Sequence, residues 1–165
     1  MREKTCCLTG HRELPWGTFT LKQRLIRAVT GRVEAGICYF GVGGAVGFDM
    51  LAAEVLMELR DTRFPQIRVI VVEPFEGYTS HWTEDQCARR QELLPRYDKR
   101  VCLSSMDSRA AYLARDRYLV DHSAHCICYC NQATGGTAYT VRYALRKGLS
   151  VENLGHLDVT AATFL

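Results

Sequence analysis

The sequence predicts an α/β domain in three layers, with a mostly parallel sheet covered by helices on both faces. Three observations predict it. Short apolar runs of strand length alternate with segments whose apolar residues recur at helical spacing. The connections between them are short, as in crossovers between parallel strands. Several of the strand-like runs also end in glycine-rich turns that lead straight into a helical segment. At 165 residues the chain reads as one domain spanning 1–165.

The elements follow in order. Residues 5–9 (TCCLT) form a buried strand stopped by Gly10. Thr18 is the expected cap of a helix with the apolar face Leu21, Leu25, Ala28, Val29 and Val33, which Gly36 ends. Residues 37–42 (ICYFGV) make the second strand, and Phe48, Leu51, Ala52, Val55 and Leu59 mark the next helix. The third strand is 67–72 (IRVIVV), with Pro74 expected to end it because proline has no N–H for the ladder. A helix over 82–96 and a short strand at 100–103 come next. Ser108 caps a helix running to His122, and 124–130 (AHCICYC) is a further strand. The last helix covers 137–147 and is closed by Gly148, the last strand is 149–154, and the tail from Gly155 is irregular. This is the pattern of a Rossmann-like domain, in which ligands bind beyond the carboxyl ends of the strands.

The formal charge of +3, with basic and acidic residues interleaved, gives no footprint for a nucleic-acid partner, and the sequence argues against one. Cys6, Cys7, Cys38, Cys102, Cys126, Cys128 and Cys130 fall in the strand-like runs, where free cysteine packs as a small hydrophobe. There is no CxxC pair, and no metal site or cofactor is assigned. No apolar run approaches membrane-spanning length and no leader is recognised, so a cytoplasmic, reducing location is expected.

Three turns at strand ends carry the chemistry. The first is Thr9-Gly10-His11-Arg12, where glycine allows a sharp turn and His11 and Arg12 supply donors for an anion. The second runs from Gly41 to Asp49 and includes Gly43, Gly44, Ala45, Gly47 and Phe48. Glycines between a strand and a helix free N–H groups at the positive end of the helix dipole. The spacing matches neither a Walker loop nor the GxGxxG fingerprint. Asp49 caps its helix or holds a ribose hydroxyl. The third turn is Thr134-Gly135-Gly136-Thr137 with Thr140 one turn later, whose hydroxyls bind phosphate or cap the helix. Secondary candidates are Glu73, Pro74 and Phe75 after the third strand, and Asp121 at the end of the helix before the AHCICYC strand. Phe75 would stack on a base, and Asp49 and Glu73 are the two candidate catalytic carboxylates.

TGHR, GGAVGFD, EPF, the Trp82 helix, DRYLVDHS and TGGTAYTVRYA, in that order over 5–154, resemble the YpsA-like branch of the SLOG superfamily. That group is related to the LOG phosphoribohydrolases and to the DNA-processing protein DprA. The resemblance implies a Rossmann-like fold that binds nucleotides or nucleotide-derived molecules. It also implies a pocket lined by Gly44, Gly47, Asp49, Gly135, Gly136 and Thr137 beside Thr9 and Arg12. LOG enzymes carry PGGxGTxxE with a glutamate tied to hydrolysis, whereas this chain reads TGGTAYTVRY and has Val141 and Arg142 where a carboxylate is sought.

The expectation is a module that senses or sequesters a nucleotide-type ligand such as ADP-ribose or NAD. The alternatives are a nucleotide N-glycosidase using Asp49 or Glu73 and a DprA-like single-stranded-DNA accessory protein. Self-association is expected, because related SLOG proteins form dimers or larger assemblies.

Overall fold

The computed structural model describes residues 1–104 and 108–165. Six strands alternate with five helices: β1 (Thr5–Gly10), α1 (Phe19–Glu34), β2 (Tyr39–Val42), α2 (Phe48–Thr62), β3 (Arg68–Phe75), α3 (Glu84–Leu93), β4 (Lys99–Ser104), α4 (Arg109–Asp121), β5 (His125–Tyr129), α5 (Gly136–Arg146) and β6 (Ser150–Asn153). Every strand pair is parallel, in the order β4-β3-β2-β1-β5-β6. The chain builds outward from β1 to β4, then returns to lay β5 on the other side of β1. The point where the order reverses, between β1 and β5, is where such a sheet opens a crevice at its carboxyl edge.

Period-two alternation sorts the side chains into two layers. Cys6 and Leu8 of β1 and Ile127 and Tyr129 of β5 pack with Leu25, Val29, Ala52, Val55 and Leu56 of α1 and α2. Cys7, Cys126, Cys128 and Cys130 face the opposite layer, against Leu119, Val120, Ala138 and Val141 of α4 and α5. All eight cysteines are free thiols. Those of β1 and β5 are core residues, but Cys102 is exposed on the edge strand β4. Among the described residues, no helix is long and apolar enough to cross a membrane.

Several element boundaries differ from expectation for identifiable reasons. Strand β3 runs through Pro74 to Phe75. Arg68 N–H bonds toward β2 while the Val69 carbonyl bonds toward β4, so even-numbered positions face β2. The β2 pairing ends at Val71, so the missing N–H of Pro74 falls where no partner strand remains. Thr18 precedes α1 without a side-chain capping bond. The third helix is capped by Thr83 instead of starting at Trp82, with a reciprocal bond between Thr83 and Gln86. It changes to a 3₁₀ turn at Leu94–Arg96, where Pro95 sits. The tail after β6 has no helix or strand, yet Val159 and Phe164 are buried in the α4–α5 layer. Arg142 Nε holds the Phe164 carbonyl at 2.7 Å.

Candidate functional site

A cleft of about 580 Å³ lies at the β1/β5 switch point, within the size range of small-molecule sites. Its walls come from four places: the β1 turn (Thr9, Gly10, His11, Arg12), the β2 turn (Gly43, Ala45, Asp49), the β5 turn (Gln132, Thr134, Gly135, Gly136, Thr137) and one face of α4. A second cleft of about 590 Å³ opens on the sheet beneath the other end of α4, lined by Tyr39, Ile70, Val72, Val101 and Tyr118. The first is the better functional candidate, because backbone amides and arginines converge there.

The β1 and β2 turns are packed into each other. A Cβ on Gly10 would meet the Phe48 ring at 2.5 Å, and one on Gly47 would stand 2.1 Å from the Arg12 carbonyl oxygen. Phe48 N–H, the first of α2, donates to the His11 carbonyl at 3.1 Å, and Ala45 N–H donates to Asp49 Oδ2 at 3.2 Å. Of the GGAVG amides expected to cradle phosphate, that of Ala45 is thus taken internally, and only Gly43, Ala45 and Asp49 of that turn reach the cleft. Gly44 instead gives its carbonyl to Tyr78 Oη at 2.9 Å, away from the cavity.

The β5 turn is different. Gly135 precedes α5 at φ +97° and no side chain caps the helix. A Cβ on Gly135 or Gly136 would meet nothing within 4 Å. Among the described residues, no acceptor takes the N–H of Gly136 or Thr137. The positive end of an eleven-residue helix thus faces the cleft bare. Arg12 and Arg109 stand at the same cleft, exposed, and pair with no carboxylate among the described residues.

His11 does a different job from the one expected of it. Its Nε2 accepts the Asn131 N–H at 2.8 Å, joining the β1 turn to the β5 turn. That bond requires an unprotonated Nε2, and burial lowers the imidazole pKa in the same sense. The ring is therefore neutral and donates only through Nδ1.

Helix α4 supplies what sequence reasoning missed. Arg115 is only 6% exposed. Its Nη1 donates to the Gly43 carbonyl and its Nε to Asp116 Oδ1 at 2.7 Å. Asp49, 7% exposed, lies next to it. Both Asp49 Oδ2 and Arg115 Nη1 come within 3.0 Å of the point that a Cβ on Gly43 would occupy. Burial pushes the Asp49 carboxyl up to about 6, against the pull of the Arg115 charge. The guanidinium groups of Arg12 and Arg115 lie 5.6 and 5.9 Å from the centre of the Tyr112 ring. The available signal was the apolar stripe Ala111-Arg115-Leu119, at helical spacing, with a charge in its middle.

The remaining candidates lie elsewhere. Glu73 is buried beneath Arg90 and Arg100, at 2.5 and 2.7 Å, outside the main cleft. Pro74 is buried in β3, and Phe75 packs edge-on to Tyr112 at 5.4 Å, behind the wall of the cleft. Asp121 borders the second cleft and accepts a bond from Tyr143 Oη at 2.7 Å. Thr140 is buried and returns its hydroxyl to the Gly136 carbonyl at 2.9 Å.

The profile of the YspA SLOG family (YpsA) matches residues 6–154. The chain belongs to this family. Among its relatives is a UPF0398 protein of Enterococcus faecalis, 25% identical over 152 residues, covering 86% of this chain and 84% of the relative. A UPF0398 protein of Listeria monocytogenes is 25% identical over 130 residues, covering 73% and 71%. In three dimensions the SLOG chain resembles DNA processing protein A of Streptococcus pneumoniae with a TM-score of 0.68 at 14% identity, over 94% of this chain and 52% of that one. The same protein from Helicobacter pylori, which binds single-stranded DNA, gives 0.64 at 18% identity, over 93% and 66%. The chain therefore spans about half to two thirds of these proteins. This likeness corrects one expectation. A protein of the same fold binds single-stranded DNA, which stands against the expectation that nucleic acid is excluded as a partner.

Proposed function

We propose that the cleft binds a small ligand of nucleotide type, with its phosphate at the amino end of α5. The observation that carries this reading is the bare helix terminus at Gly135-Gly136-Thr137, facing a cleft that also holds two arginines without carboxylate partners among the described residues. An anion there gains both backbone donors and the helix dipole. Sensing or sequestration suits the site better than hydrolysis, because only Asp49 of the two candidate carboxylates lines the cleft. Calorimetric titration with AMP, ADP-ribose and NAD tests the reading. At least one is expected to bind below millimolar, and Arg12→Ala is expected to weaken it about tenfold to a hundredfold through loss of a charge-assisted contact. No binding by any of the three, or an unchanged affinity in Arg12→Ala, counts against it. Release of free base during the titration, abolished by Asp49→Asn, would make the protein an N-glycosidase.

A second reading, binding of single-stranded nucleic acid, is favoured by a surface outside the cleft. Trp16 is fully exposed and Phe19 is 73% exposed. Arg24 and Arg27 follow on the outer face of α1, and neither pairs with a carboxylate among the described residues. Aromatic faces beside unpaired arginines suit stacked bases and their phosphates. A labelled oligothymidylate should bind with an affinity that falls steeply between 50 and 200 mM salt, and Trp16→Ala with Arg24→Glu should weaken it about tenfold or more. Salt-independent or variant-insensitive binding would remove this surface from the account.

A further inference from the structure

The proposed phosphate site occupies only the mouth of the cleft, and its floor has a separate chemistry. Arg115 is more than nine-tenths buried, and two of its three nitrogens have protein acceptors, the Gly43 carbonyl and Asp116. Among the described residues its Nη2 has no acceptor, and this nitrogen is not sealed from solvent. Beside it, Asp49 uses Oδ2 for the Ala45 N–H, while Oδ1 receives no donor among the described residues. The floor thus offers one buried donor group and one buried acceptor side by side, both bordering the cleft.

A phosphate is a poor occupant for this floor, because the Asp49 and Asp116 carboxylates both stand close to Arg115. A neutral group that accepts and donates at adjacent atoms fits it. Vicinal hydroxyls do so: one accepts from the guanidinium while its neighbour donates to the carboxylate. A hydroxyl can donate to the ionised carboxylate and can also accept from the protonated carboxyl. The Tyr112 ring, flanked by Arg12 and Arg115, connects floor to mouth and provides a flat face for the C–H side of a sugar ring.

We infer that Asp49 and Arg115 hold the vicinal hydroxyls of a ribose, so that the ligand enters sugar-first with its phosphate left at the amino end of α5. This rests on the phosphate reading above and narrows the ligand class to ribonucleotides over deoxyribonucleotides. Arg115 is then a specificity residue that touches the ligand, and Asp116 and the Gly43 carbonyl are what position it.

The test is calorimetric titration of the whole protein with AMP and with 2′,3′-dideoxy-AMP. AMP is expected to bind at least tenfold more tightly than the dideoxy compound. Arg115→Lys, which keeps a positive charge over Gly43 but not the second amino group, is expected to lose most of the preference for AMP over dideoxy-AMP. Arg115→Met, checked for an intact fold by circular dichroism, should lose the preference entirely. Equal affinity of the wild-type protein for both compounds overturns the ribose site while leaving the phosphate reading intact. A preference that survives in both Arg115 variants overturns the role of Arg115. Failure of both compounds to bind overturns this inference, and failure of ADP-ribose and NAD as well removes the phosphate reading.

Discussion

Replacing Gly47 with alanine is expected to destabilise the protein by about 3 kcal/mol or more and to abolish ligand binding in the cleft. The backbone at Gly47 has φ +81° and ψ −122°, a region that L side chains scarcely enter. The new Cβ would also lie 2.1 Å from the Arg12 carbonyl oxygen, a clash with backbone that no rotamer relieves. Relief requires parting the β1 and β2 turns, and with them the Phe48 bond to the His11 carbonyl. Arg12 would move away from α5 in the process. A thermal midpoint lower by roughly 6–12 °C corresponds to that cost in a chain of this size. Gly31→Ala is the control: it sits within α1 with nothing within 4 Å of the new Cβ, and should stabilise by about 0.5–1 kcal/mol. A Gly47→Ala protein with unchanged midpoint and affinity would show that the two turns are not interlocked.

Neutralising the two buried carboxylates is expected to have opposite effects at pH 7.5. Burial raises the Glu73 pKa, but the hydrogen bonds from Arg90 and Arg100 outweigh it and hold the carboxyl below its usual value of 4.5. A lowered folded-state pKa contributes stability that is present above pH 4.5 and lost as the pH falls through the folded value. Glu73→Gln should therefore cost about 3 kcal/mol at neutral pH, since it leaves the part-buried Arg90 without its partner, and less in acid. Arg100 is 45% exposed and adds little. Asp49 runs the other way. Its pKa rises from 3.8 to about 6 through burial, so the folded state loses stability as the pH climbs between those values, by about 3 kcal/mol in all. Asp49→Asn escapes that cost and should be the more stable protein above pH 7, by about 1–3 kcal/mol, with the advantage shrinking by about 1 kcal/mol at pH 5. Urea unfolding of the three proteins at pH 5 and 7.5 measures both. A Glu73→Gln protein as stable as wild type, or an Asp49→Asn advantage that is absent or the same at both pH values, would contradict these assignments. AMP binding should also survive in Glu73→Gln, which separates a structural carboxylate from one in the cleft.

Much of the fold was legible because it is written in local periodicity. Cys6 and Leu8 alternate with Cys7, and Leu21, Leu25 and Val29 recur every four residues; both patterns survive into the two core layers. The three glycine turns were legible as turns, and all three reach one cleft. Their division of labour was not. Whether a glycine exposes its neighbours' amides or packs against another chain segment depends on contacts far away in sequence. Gly47 meets Arg12, whereas Gly135 and Gly136 meet nothing. The surroundings of Glu73 were illegible for the same reason: its partners Arg90 and Arg100 lie 17 and 27 residues away. Thr140 looked like a phosphate ligand until its hydroxyl turned back to the Gly136 carbonyl, a bond that mid-helix threonines often make. Pro74 was taken as a strand end because the rule for proline in sheets was applied without knowing where β2 stops. Arg115 was hidden in a stripe of core positions, and only the fold shows that this stripe lines the floor of the crevice.

The central claim is that the amino end of α5 is the anion site. Amide chemical shifts followed during titration of the isotope-labelled protein with AMP test it directly. The amides of Gly135, Gly136 and Thr137 are expected to move first and furthest, with Gly43 and Ala45 following. Shifts confined to the second cleft, at Tyr39, Ile70 and Val101, or none at millimolar AMP, would contradict it.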